Sequence, residues 1–215
     1  MNSNPFVYPK TQHRRKLQPP VYTRYQSYKR HLKEEFQSQC VYCRLPDGVK
    51  GQEAFGADHY RPKSKFPELE TDYINLFYAC NGCNRRKGTF WPTDMQLKVG
   101  ELIPNPCDYV MFRHLRYQHV TVEPRTHTGN FAVDLLMLNS EDSLKYRELM
   151  LYVVKSLEED IQRSRNMISK LKDRIAKSPE NASELEEEIT ATQNDIEKFE
   201  DKLMRVLGQK PVPST

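Results

Sequence analysis

Four of the five cysteines fall in two pairs, Cys40-x2-Cys43 and Cys80-x2-Cys83, and this spacing constrains the fold more than any other feature. Each pair can turn two thiolates toward one ion, and two such turns complete the sulfur tetrahedron that Zn²⁺ prefers. A bare zinc ribbon separates its knuckles by about 15–20 residues. Here 36 residues lie between Cys43 and Cys80. The staple therefore encloses a working segment, residues 44–79. A closed four-sulfur site has no open coordination position, so the zinc expected here is structural and chemistry must come from other residues. Cys107, outside both pairs, is expected as a small buried filler.

A staple is what such a chain needs. At 215 residues, with 37% hydrophobic and 29% charged residues, its core cannot be large. The net charge of +4 conceals segregation: residues 1–33 carry eight Lys or Arg and no acid, whereas residues 180–201 carry nine acids and one lysine. The basic front is expected to meet a polyanion, the alternative being a solvated basic tail. No apolar run approaches the roughly 18 residues of a membrane span, and the polar N-terminus has no signal-peptide core. Cysteines paired for a metal suit a reducing compartment, so a cytoplasmic location is expected.

The predicted organisation is a basic arm at 1–19, a body at 20–140, a helical hairpin at 141–207 and a disordered tail at 208–215. Tyr22, Tyr25, Tyr28, Leu32 and Phe36 recur at spacings of three and four, which predicts a helix over about 20–38 with this stripe on the core. Short strands are expected at 53–60 and 76–79, and a helix at about 83–90 ended near Gly88. Residues 110–122 and 131–138, rich in aromatic and β-branched types, flank the turn signal Thr126-His127-Thr128-Gly129-Asn130 and predict a β-hairpin. Met150, Val154, Leu157, Ile161, Ser164, Ile168, Leu171 and Ile175 follow a heptad rhythm, as do Leu185, Ile189, Thr192, Ile196, Phe199, Leu203 and Val206. Ser178-Pro179 between them suits a helix start, so the two helices are expected to fold back antiparallel.

Asp58, His59, Asn75 and Asn84 are the candidates for chemistry. Phosphodiester hydrolysis needs an activated water, a Lewis acid on the phosphate and basic groups for the remaining charge. A neutral imidazole suits the first task near pH 7. A carboxylate and an amide oxygen form a hard half-shell suited to Mg²⁺ or Mn²⁺. Arg61, Lys63, Arg85, Arg86 and Lys87 lie beside these residues in sequence and are candidate phosphate contacts.

The string Cys40-x2-Cys43, Asp58-His59-Tyr60-Arg61-Pro62-Lys63-Ser64, Asn75-Leu76-x3-Cys80-x2-Cys83-Asn84-x2-Lys87-Gly88 resembles the HNH endonuclease family in its four-cysteine form. The resemblance covers residues 40–91. It implies an α+β fold: a zinc-stapled ββα-metal core, here followed by a β-hairpin and a C-terminal antiparallel helical hairpin. By the same resemblance His59 would be the general base, Asp58 and Asn84 would hold the catalytic ion, and Asn75 would orient His59 and brace the loop. The third signature position is Asn84 rather than histidine, and its neutral amide oxygen favours Mg²⁺. The same stretch, with Leu138-Asn139 and Arg147, is similar to bacterial phage-defence HNH nucleases of the Septu type, which work with an ATPase.

The expected function is metal-dependent cleavage of DNA with little intrinsic sequence preference. The helical hairpin would serve an ATPase partner or a homodimer, or only the fold. The alternative is a non-catalytic zinc module that binds nucleic acid and uses its hairpin as a scaffold. That reading leaves Asp58, His59, Asn75 and Asn84 together without a purpose.

Overall fold

Apolar residues spaced by four set the first helix. Tyr28, Leu32 and Phe36 are buried along one side of a 3-10 turn, Tyr25–Tyr28, and of α1 (Lys29–Glu35). The computed structural model describes residues 4–50 and 52–209. The helix starts later than the stripe predicts, because Arg24 is extended and the Tyr22 N–H donates to the Tyr28 hydroxyl at 3.0 Å instead of to a helical carbonyl. Tyr22 and Tyr25 still pack on the core.

A knuckle at Cys40–Cys43 and the short α2 (Asp47–Lys50) lead to β1 (Phe55–His59). β1 pairs antiparallel with β2 (Leu76–Cys80), Phe55 opposite Cys80 and His59 opposite Leu76, and α3 (Asn81–Lys87) follows without a gap. The strands lie where the apolar runs predict them. All five residues of β2 are buried, which places this strand at the centre of the body. Next come α4 (Asp94–Val99) and α5 (Met111–His114).

β3 (Leu115–Gln118) and β4 (Thr121–Pro124) form the trailing hairpin, but it is shorter than predicted and closes at His119-Val120. The stretch 131–138 is not its second strand. Thr126 accepts from the Gly129 N–H and caps α6 (His127–Leu135), whose Ala132, Val133 and following Leu136 turn inward. A turn-like composition was here a helix start. Gly129 allows α6 to approach α5 closely, since a Cβ would lie 2.1 Å from the His114 carbonyl oxygen.

α7 (Glu141–Lys177) and α8 (Ala182–Val206) form the antiparallel hairpin, with Pro179 at the turn. Ser178 lies at that turn without a capping bond. At 1.5 Å per residue, α7 is about 55 Å long. Leu171, Leu185 and Ile189 make a separate small core at the tip, and the polar Thr192 is buried further along α8, its hydroxyl bonding back to the Glu188 carbonyl. Both ends of the hairpin return to the body: Met150 joins the main core, and Gly208 packs on Ser38 and Pro46. The expected tail lies outside the described residues from position 210 on. No helix among the described residues is long and apolar enough to cross a membrane.

The segment expected as an arm is docked from residue 4 onward. Phe6 and Tyr8 are each 1% exposed, and the Tyr8 hydroxyl donates to the Tyr42 carbonyl at 2.8 Å. Arg15 lies over the rings of Phe36, Tyr73 and Phe77 and donates to the Leu76 carbonyl, so its charge serves the core rather than a polyanion. Lys33 is likewise occupied, paired with buried Asp47 at 2.9 Å.

Glu35 ties the arm to α1. Its buried carboxylate accepts from the backbone N–H groups of Lys16 and Leu17, from the Tyr73 hydroxyl and from the His13 ring. Burial alone would raise its pKa, but these donors outweigh burial and hold it below the ordinary 4.5. A depressed carboxylate contributes stability above its unfolded pKa and loses it as pH falls through the lower folded value. Burial also lowers the pKa of His13, so acid works against the folded state at both groups. Glu35→Gln is therefore expected to cost about 1–3 kcal/mol at neutral pH. It should also flatten the acid limb of thermal melts below pH 4.5. An unchanged acid limb would show that the arm is held by its rings alone.

Candidate active site and metal centre

The four paired cysteines converge from both ends of the enclosed segment. Cys40 and Cys43 come from the first knuckle, Cys80 ends β2, and Cys83 lies in α3. Their sulfurs lie within 4.8 Å of one another, and Cys43 and Cys80 are 3.7 Å apart. A sulfur tetrahedron with bonds of about 2.3 Å to zinc has edges of about 3.8 Å, so the spacing fits that ion. Burial first, then its sulfur neighbours, push the Cys40 thiol well up. A divalent cation relieves both effects by pairing with thiolates. Around the cluster, the Cys83 N–H points to the Cys80 sulfur, and the Tyr117 hydroxyl donates to the Cys43 carbonyl at 2.7 Å. Arg147 in turn donates to Tyr117 and to the Leu138 carbonyl.

Asp58 and His59 end β1, and α3 packs against both strands of the pair. Asp58 is 3% exposed, and both of its oxygens are engaged: Oδ2 accepts from the Tyr42 hydroxyl at 2.5 Å, and Oδ1 lies 3.1 Å from Lys87 Nζ. Burial, then Asp58 beside it, raise the Tyr42 pKa, so the phenol stays a donor. A carboxylate offers about four lone-pair sites. The Tyr42 and Lys87 bonds use two of them.

His59 is oriented by backbone. Its Nε2–H donates to the Glu70 carbonyl at 2.9 Å, and its ring meets Tyr25 edge-on at 4.6 Å. Burial lowers its pKa below 6.5, the Glu70 and Asp58 neighbours opposing only in part. A neutral ring that donates through Nε2 keeps the lone pair on Nδ1, which is the state a proton acceptor needs.

Asn75 is buried and braces the loop that carries Glu70. Its Oδ1 accepts from the Arg61 N–H at 2.9 Å, its Nδ2 donates to the Arg61 and Leu69 carbonyls, and its own carbonyl accepts from the Tyr60 N–H. These bonds reach the loop rather than the His59 ring. Asn84 is half-buried in α3, one turn before Lys87, and its amide makes no side-chain hydrogen bond among the described residues. Asp58 and Asn84 each carry a hard oxygen donor, whereas the side-chain cluster that draws together around one point is that of the four cysteines.

The candidate phosphate contacts divide sharply. Lys87, 1% exposed at its side chain, is closed off by Asp58 and by the His59 carbonyl, and so is not a surface contact. Arg86 is spent on the Leu136 and Met137 carbonyls and the Ser140 hydroxyl, where it tops the end of α6. Lys63 pairs with Glu70 at 2.9 Å. Arg61 and Arg85 remain exposed. Sequence reasoning missed Tyr42 and the Glu70 carbonyl. Tyr42 stood in plain view inside the first knuckle, whereas a backbone carbonyl leaves no trace in residue type.

Residues 40–90 match the HNH endonuclease family model. The chain is also similar to the Septu protein PtuB of Bacillus thuringiensis, 31% identical over 122 residues. That match covers 56% of this chain and 44% of the relative, so the chain spans under half of the relative's length. No solved structure matches the chain. The four-cysteine cluster, strand pair and helix thus fall within the stretch that matches the HNH model, in a longer mixed α/β chain.

Proposed function

We propose that this chain is a metal-dependent endonuclease that hydrolyses DNA phosphodiesters with low intrinsic sequence preference. The observation that carries the reading is His59, buried and tethered through Nε2 to the Glu70 carbonyl, beside the Asp58 side chain. Cys40, Cys43, Cys80 and Cys83 hold structural zinc. Asp58 and Asn84 would hold Mg²⁺ or Mn²⁺, which would supply Lewis-acid polarisation of the phosphodiester. His59 Nδ1 takes the proton from the attacking water. Asn75, through Arg61, Leu69 and the loop, keeps the Glu70 carbonyl against the ring. Tyr42 and Lys87 fix the Asp58 carboxylate.

The setting we assign is cytoplasmic phage defence, by similarity to the Septu relative, with an ATPase partner or a second copy on the helical hairpin. Leu149 and Tyr152 support a docking role for α7, since they stand 61% and 69% exposed one turn apart on its outer side.

One observation favours the second reading, a zinc-stapled binding module. Lys87 already balances the Asp58 charge without any divalent ion. Plasmid nicking separates the two. Supercoiled DNA should be relaxed in the presence of Mg²⁺ and stay intact without it, and Asn84→Ala should need more Mg²⁺ while keeping its zinc and its melt. DNA that is bound but stays intact with both Mg²⁺ and Mn²⁺ would leave only the binding module.

A further inference from the structure

Arg61 stands apart from the other basic residues near His59. Its backbone is gripped on both sides by one side chain, Asn75 bonding its N–H at 2.9 Å and its carbonyl at 3.0 Å. Its guanidinium lies over two rings, 5.3 Å from the centre of Trp91 and 5.8 Å from that of Phe66. Those rings are themselves fixed. Trp91 meets Phe66 edge-on at 5.3 Å and Tyr60 at 5.7 Å, and the Tyr60 hydroxyl donates to the Ile103 carbonyl. Gly88, with φ of +52°, turns the chain after α3, and Trp91 beyond it lies against Tyr60 and Phe66.

No carboxylate pairs with Arg61 among the described residues, and its side chain is exposed. Stacking on aromatic faces restrains a guanidinium while leaving its in-plane N–H donors free, whereas a salt bridge would consume them. The result is a cation held in place two residues beyond His59 with its donors unused. A planar fork of this kind matches phosphate oxygens.

We propose that Arg61 is the anchor for a backbone phosphate of the substrate strand, and that Trp91 and Phe66 are positioning residues acting through it. This rests on the nuclease reading for its biological sense but makes a separate prediction about binding. Lys63, which a sequence argument ranks equally with Arg61, differs in that its ammonium is paired with Glu70 at 2.9 Å.

The test is a mutant cycle in full-length His59→Ala protein, which keeps a labelled DNA duplex intact while its affinity is measured across a salt series. Arg61→Ala should weaken binding about tenfold. It should also reduce the slope of log affinity on log salt by about 0.9, the value of one phosphate contact. Trp91→Ala should weaken binding several-fold when Arg61 is present and add little when position 61 is already alanine. Trp91→Phe should restore most of the affinity. If Trp91→Ala lowers the melting temperature, Phe66→Leu takes its place in the same cycle.

Equal losses from the ring variant in both backgrounds, or an unchanged salt slope for Arg61→Ala, would overturn the inference. A chain that never cleaves but follows the expected cycle would keep the anchor and remove the nuclease. Cleavage with a flat cycle would do the reverse.

Discussion

A chain carrying Cys80→Ser is expected to lose its zinc and the cooperative melt of the body, while part of its helical signal survives. Cys80 has three jobs. It closes β2 opposite Phe55, contributes one corner of the sulfur cluster, and caps α3 by accepting the Cys83 N–H. Removing it therefore frees the junction of strand and helix as well as the ion. Structural zinc in small modules contributes about 10–16 kcal/mol of apparent binding energy. Whole domains are stable by only about 5–15 kcal/mol. Losing even part of the first figure can exhaust the second. The hairpin tip should respond differently, because Leu171, Leu185 and Ile189 form a core of their own, apart from the one around the four cysteines. Far-UV circular dichroism should then keep a helical component while the near-UV signal of the buried tyrosines collapses. Chelation of the unsubstituted protein should give the same pattern. One zinc per chain and an unshifted near-UV melt in Cys80→Ser would show that the sulfur cluster is dispensable.

What sequence reveals here follows from what kind of interaction does the work. Thiolate pairs and heptads are written in residue type and spacing, so the staple, the strands beside it and the α7–α8 hairpin were legible. The stretch 126–138 was not, because Thr126 and Gly129 suit a turn and a helix start alike, and only the close approach to His114 decides between them. The arm misled by composition. Its charges suggested a segment that meets a polyanion, while Phe6 and Tyr8 are the residues that pack it on the core. In the candidate site, the residue types at Asp58 and His59 pointed to chemistry, but their partners did not. Lys87 looks like a surface cation in sequence and becomes buried only because α3 lies against β1, one turn beyond Asn84. Arg86 is drawn off by carbonyls fifty residues downstream, a contact that no local pattern encodes.

His59→Ala is expected to remove nearly all metal-dependent cleavage and leave folding, zinc content and DNA affinity close to those of the unsubstituted chain. General bases of this kind contribute about 10²–10⁴ in rate. The larger part of that range applies here, because the ring is already oriented and neutral before substrate arrives. The Glu70 carbonyl fixes which nitrogen carries the proton, Tyr25 restrains the ring plane, and burial keeps the imidazole uncharged near pH 7. An alanine loses all three contributions at once. It does not disturb the Asp58 carboxylate, which is held from the other side by Tyr42 and Lys87, nor the main-chain pairing of position 59 with Leu76. The loss should therefore fall on kcat rather than KM in single-turnover nicking of supercoiled plasmid, and added Mg²⁺ should not recover it. A raised KM with kcat intact would reassign His59 to substrate binding. Nicking at the unsubstituted rate would remove it from the chemistry, and with it the strongest reason to read this zinc-stapled unit as an enzyme.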